Sequence, residues 1–198
     1  YWAFQQFVLF DDEKAEEAWQ KSIKYFMQKL ILKFGNKQLI IKAPENLSRV
    51  NSILEVFPDA KFIHIYRDPY RVFFSTERLY SITLPMVALQ HWTQETVNDF
   101  ILKSYKDMFL KYFESRKQIP EGSLAEIKYE DFIGNEMETL RTVYQKLGLE
   151  FDDAALCIQA EVKSYEGYQT NKYEYDPQKM EQIYAAWEPI FKELGYSK

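Results

Sequence analysis

Apolar positions along the chain recur at two spacings, and the alternation between them outlines the fold. From Asp11 to Phe34 they fall three or four residues apart, at Trp19, Ile23, Phe26, Leu30 and Phe34. That spacing is the stripe of an amphipathic helix. Asp11 or Asp12 can cap its start, acids crowd its first turns and Gly35 ends it. Gln38–Lys42, QLIIK, reads as a short strand stopped by Pro44, and a helix follows to about Phe57 with Val50, Ile53, Leu54 and Phe57 inward. Lys61–Tyr66 is apolar on both faces and rich in β-branched and aromatic residues, as a buried parallel strand should be. Asp68-Pro69 then starts a helix, with Asp at the N-cap and Pro at the first helical position, running to about Ser81.

Pro85 is expected to open a long helical stretch ending near Gln118, followed by a turn at Pro120-Glu121-Gly122 and a third strand, Leu124–Tyr129. Helices near Asn135–Leu147 and Asp152–Val162, a loop over 164–176 and a final helix over Pro177–Leu194 complete the pattern. Strands alternating with helices predict an α/β fold, a mainly parallel sheet flanked by helices, in a single domain over residues 1–198. Strand Phe62–Tyr66 is expected beside Leu39–Lys42, so that both end at one crevice.

Composition narrows the function. A net charge of −5 gives no overall attraction for nucleic acid or anionic membrane, so an anionic ligand requires a local basic site. One cysteine, Cys157, and two histidines argue against a structural zinc site, and the lack of any internal disulfide fits a reducing, cytoplasmic setting. No run approaches the ~18 apolar residues of a membrane span.

The basic candidates lie where strands end. Arg67 leaves the clearest strand at the sheet edge where ligands gather in open α/β sheets, under the positive end of the next helix. A guanidinium there can fork two phosphate oxygens. Ser75 follows Asp68 by seven residues, close to two helical turns and roughly 10 Å along the axis; Arg71 and Arg78 flank it. An ordinary strand-to-helix turn with a salt-bridged arginine accounts for the same residues. Lys42 ends the other apolar strand, where it is either a ligand to the same crevice or a solvated lysine. Glu45, just beyond it, could be a base or simply a favourable charge at a helix start.

The segment IIKAPENLSRVNSILEVFPDAKFIHIYRDPYRVFFST resembles the middle of bacterial-type sulfotransferases, with a strand ending in Lys-x-Pro, the words FPDAKFIHIYRDP and a serine eight residues after the arginine. IKYEDFIGNEMETLRTVYQKLGLEFD resembles that family's Tyr-Glu-Asp strand and turn with its following helix. YQTNKYEYDP is a weaker match to the Asn/Lys/Tyr loop before its last helix. The resemblance implies a P-loop-NTPase-like sulfotransferase fold. It also implies a donor, 3′-phosphoadenosine 5′-phosphosulfate (PAPS), used without metal and released as 3′-phosphoadenosine 5′-phosphate (PAP). Arg67 and Ser75 correspond to the pair holding the 3′-phosphate, Lys42 to a lysine near the transferring group, and Lys172 to a loop residue reaching the nucleotide. The acceptor it implies is a small molecule, lipid or carbohydrate, not nucleic acid.

One departure matters. The family's Gly-Ser/Thr-rich phosphosulfate loop has no counterpart in this sequence, which holds only six glycines, so the chain is expected to be the C-terminal portion of a longer enzyme and inactive alone. Where family members often carry histidine, Asn46 stands. Two rival readings share many of these features: a fragment of a P-loop kinase, and a non-catalytic helical interaction module. A kinase needs an acidic strand end for magnesium, whereas these strands end in Lys42, Arg67 and Tyr129.

Overall fold

The computed structural model describes residues 1–35, 37–165, 167, 171 and 173–198. It divides into two compact units, one of residues 1–60 and 103–119, the other of residues 61–102 and 120–198.

The first unit is helical. Helix α1 spans Glu13–Phe34; Asp12 caps it by accepting the Lys14 N–H at 2.9 Å, and Gly35 closes it with φ 78°. The buried stripe is shifted from the expected one: Met27 is buried, while Phe26 and Phe34 are about half exposed. Residues 44–57 form a 3₁₀ turn, Pro44–Ser48, and then α2, Val50–Val56, in place of one continuous helix.

The first ten residues, unreadable from pattern, form an α-helical turn, Trp2–Phe4, that runs into a π-helical turn, Gln5–Leu9, ended by Phe10 in the left-handed region at φ 56°. Side chains from elsewhere in the unit cap its last carbonyls. Arg49 donates to Phe7 at 2.8 Å, the Ser48 hydroxyl to Val8 at 3.1 Å, and Lys111 to Leu9. These carbonyls have no partner within the helix and need one once shielded from water. Burial holds both Arg49 and Lys111 below their usual pKa values.

The second unit contains the sheet. Strand β1, Phe62–Tyr66, pairs in parallel with β2, Leu124–Lys128, with Phe62 opposite Leu124 and Tyr66 opposite Lys128. Residues 37–43 form no strand, which corrects the expected pairing of β1 with Leu39–Lys42. Local β-propensity does not make a strand without a neighbour for its backbone. None pairs with this segment among the described residues, and Ile40 is 87% exposed.

Helix α3 runs Pro69–Val87, past the expected stop at Ser81, and carries Pro85 in its last turn; α4, Gln94–Ser115, starts well after it. Pro85 cannot donate the bond that its position would otherwise make to the Ser81 carbonyl, and the helix ends two residues beyond it. After β2 come a single turn, Tyr129–Phe132, then α5, Glu136–Lys146, α6, Asp152–Ser164, and α7, Pro177–Glu193. These lie within a few residues of the expected bounds. Among the described residues, no helix is long and apolar enough to cross a membrane.

The core of this unit lies between α3 and α7. Ile183, Trp187, Ile190 and Phe191 turn one face of α7 inward, against Tyr70, Phe73 and Phe74. The Trp187 indole N–H donates to the Leu102 carbonyl at 2.9 Å, so the ring is buried without an unmet donor. A smaller cluster packs Ala125 and Ile127 of β2 against Val143 and Leu147. Ile63 and Ile65 of β1, on the same sheet face, remain 48% and 53% exposed.

Phe73 is 1% exposed and Leu156 is 79% exposed. Phe73→Ala should therefore cost about 3–5 kcal/mol in urea-induced unfolding, and Leu156→Ala should stay within about 0.5 kcal/mol of wild type. Equal costs would show that the α3–α7 packing is not the core.

Candidate functional site

The site is built by two strands that end together. Register pairs each β1 residue with the β2 residue 62 positions later, from Phe62 with Leu124 (124 − 62) to Tyr66 with Lys128 (128 − 66). The chain keeps this offset after the ladder stops. The Arg67 guanidinium lies 4.1 Å from the centroid of the Tyr129 ring, and the Asp68 N–H donates to a Glu130 carboxylate oxygen at 3.2 Å. Inside the sheet, His64 Nδ1 lies 3.5 Å from the Glu126 carboxylate, again a directly opposed pair.

Arg67 is half-buried, and its Nε is shielded from solvent with no hydrogen-bond partner among the described residues. Stacking on Tyr129 holds the guanidinium plane while leaving its N–H edges to bond an external acceptor.

The α3 N-terminus supplies less than expected. Asp68 caps it by accepting the Arg71 N–H at 3.0 Å, and the Asp68 N–H itself goes to Glu130. Two carboxylates thus already occupy the positive end of the helix. Phe73 and Phe74 face inward, which leaves Ser75 and Arg78 exposed, with Arg71 half-buried.

Glu130 is the most heavily bonded group here. Its second oxygen accepts the Tyr196 hydroxyl at 2.6 Å. Tyr196 stands edge-on to Tyr66 at 6.2 Å, and the Lys128 ammonium lies 4.5 Å over its ring. Burial pushes the Glu130 carboxyl up, but the hydrogen bonds from Tyr196 and Asp68, its own amide and nearby Lys128 outweigh this and hold it below the usual range. Tyr196 is raised, first by burial and then by its bond to Glu130.

Of the residues picked from sequence, Arg67 and Ser75 lie in this unit, at the start of α3 and two turns along it. Lys42 and Glu45 lie in the other unit, Lys42 exposed and Glu45 half-buried in the Pro44–Ser48 turn. Lys172 falls outside the described residues. Sequence reasoning missed Tyr129, Glu130 and Tyr196. The Tyr-Glu-Asp word marked the first two without assigning them a role, and nothing local marks Tyr196, 66 residues beyond Glu130. Two clefts of about 350 and 250 Å³ flank the Phe74–Tyr175 ring contact, and neither is lined by Arg67 or Ser75.

Comparison with known proteins gives a consistent picture. The model of the sulfotransferase family matches residues 3–153. Omega-hydroxy-beta-dihydromenaquinone-9 sulfotransferase Stf3 from Mycobacterium bovis, and its namesake from Mycobacterium tuberculosis, are 32% identical over 183 residues, 92% of this chain and 47% of theirs. The chain thus spans about half the length of these curated relatives. The crystal structure of sulfotransferase STF9 from Mycobacterium avium superposes with a TM-score of 0.81 at 15% identity, covering 95% of this chain and 49% of that one. The sulfotransferase domain from the curacin biosynthetic pathway gives 0.59 at 15% identity, covering 98% and 77%. At such identities these neighbours establish the fold, the expected α/β architecture.

Two measurements test this geometry. In a double-mutant cycle on unfolding stability, Arg67→Ala and Tyr129→Leu should show a coupling of about 0.5–2 kcal/mol; additive effects would mean that the ring does not hold the guanidinium. A carboxyl held low stabilises the fold above its unfolded pKa, and that stability is lost as pH falls through its folded value. The stability gap between wild type and Glu130→Gln should therefore close as pH drops below about 4, and a gap that is constant with pH would exclude Glu130 as its source.

Proposed function

This chain belongs to the sulfotransferase family, and we propose that it carries the 3′-phosphate-binding part of an enzyme that moves a sulfuryl group from PAPS to an acceptor hydroxyl. The observation carrying this reading is Arg67: a guanidinium over the Tyr129 ring at the end of β1, with a buried Nε that has no hydrogen-bond partner among the described residues. Such a group fits a phosphate through side-chain donors, and exposed Ser75 adds a hydroxyl on the same helix.

PAPS, when bound, supplies the sulfuryl group and leaves as PAP. The chain's own residues supply position and charge, the usual substance of group transfer between oxygens. Arg67 and Ser75 hold the 3′-phosphate, with Lys172 reaching the nucleotide from the loop before α7. Lys42 offsets negative charge that develops on the leaving phosphate oxygen, and Glu45 takes the proton of the acceptor hydroxyl. The relatives' name speaks of a hydroxylated menaquinone, which favours an apolar acceptor with a terminal hydroxyl here too.

The two basic residues should separate kinetically in the intact enzyme. Arg67→Ala removes a charged hydrogen bond of about 1.5–3 kcal/mol, so calorimetry should show PAP binding weakened roughly tenfold or more. Lys42→Ala should lower kcat ~100-fold with little change in PAP affinity. Lys42→Arg should recover little, because a planar fork does not replace a compact point charge. Unchanged PAP affinity in Arg67→Ala would remove it from the site, and a pure rise in KM for PAPS would move Lys42 from catalysis to binding.

A further inference from the structure

We infer that Glu130 is a positioning residue for nucleotide binding: it completes, from the neighbouring strand, the cap of the helix whose start carries Arg67. In a capping box, the N-cap side chain accepts the N–H of the third helical residue, and an acid or amide at that third position reaches back to the N-cap N–H. Asp68 performs the first half, bonding the Arg71 N–H. The third position is Arg71 itself, which has no acceptor, so the second half cannot be made within the helix. Glu130 makes it instead, across the sheet end, through the Asp68 N–H.

The far side of Glu130 is fixed as well. Its other oxygen takes the Tyr196 hydroxyl, and Tyr196 is held between Tyr66 and the Lys128 ammonium. A residue of the chain's last segment, a carboxylate after β2 and the backbone after β1 therefore form one connected set. Arg67 precedes the fixed amide by one residue, and its side chain rests on Tyr129, which precedes Glu130 by one residue. Losing Glu130 frees the Asp68 peptide and with it the backbone from which Arg67 projects. An unpinned arginine must then be ordered by the phosphate itself, which costs affinity.

This inference rests on the reading of Arg67 as a phosphate ligand, and two readouts keep them apart. The first is hydrogen exchange at the Asp68 amide, followed by NMR without nucleotide; the second is PAP affinity by calorimetry in the intact protein. Glu130→Ala should speed Asp68 exchange selectively, leave the amides of α7 around Trp187 protected, and weaken PAP binding about tenfold. Glu130→Gln keeps a carbonyl acceptor and should recover most of both. Tyr196→Phe keeps the Asp68 bond and should show a smaller loss than Glu130→Ala. Unchanged Asp68 exchange in Glu130→Ala would overturn the inference, as would faster exchange with PAP affinity intact. Wild-type protein that does not bind PAP would overturn the nucleotide reading and the role of Glu130 with it, while a loss in Arg67→Ala alone would overturn only Glu130.

Discussion

The parallel pairing of β1 with β2 is the constraint on which the site depends. A parallel ladder fixes not only which residues bond inside the sheet but which emerge side by side where the strands end. Here the offset of 62 residues carries on for two positions, placing Arg67 against Tyr129 and Asp68 against Glu130. A slip of one residue would bring Lys128 or Glu130 opposite Arg67 in place of the aromatic ring. The register therefore sets which residues meet at the strand ends.

The helix that follows β1 shows how local charge is used. A free helix N-terminus attracts anions, and two side-chain carboxylates already satisfy this one. The Arg67 guanidinium at the same strand end is braced on the Tyr129 ring, and its buried Nε has no hydrogen-bond partner among the described residues. The packing of Phe73 and Phe74 against α7 keeps the same helix rotated so that Ser75 faces outward.

Satisfaction of backbone groups also explains the part of the chain with no legible pattern. The π-turn at Gln5–Leu9 ends in carbonyls that Ser48, Arg49 and Lys111, all distant in sequence, bond. The opposite case is QLIIK, whose apolar residues favour a strand. Without a paired backbone among the described residues it forms no strand, and Ile40 and Ile41 are exposed.

The sequence alone determined the elements whose cause is local: α1 with its Asp12 cap and Gly35 stop, the β1 strand, the Asp68-Pro69 helix start, and the placing of Arg67 and Ser75 on either side of that start. Each depends on residues within a turn or two, so spacing and residue type carry it. Pro85 does not mark a boundary between two helices, because α3 runs through it and ends two residues later. Tertiary structure alone decided which strand β1 adopts as neighbour, since QLIIK and LAEIK have comparable local propensity and differ only in what can pack on them. It also decided that Tyr129 lies under Arg67 and that Glu130 joins Asp68 to Tyr196. Those contacts span 62 and 66 positions, and no local pattern encodes a separation that a sheet register and a docked C-terminal segment create.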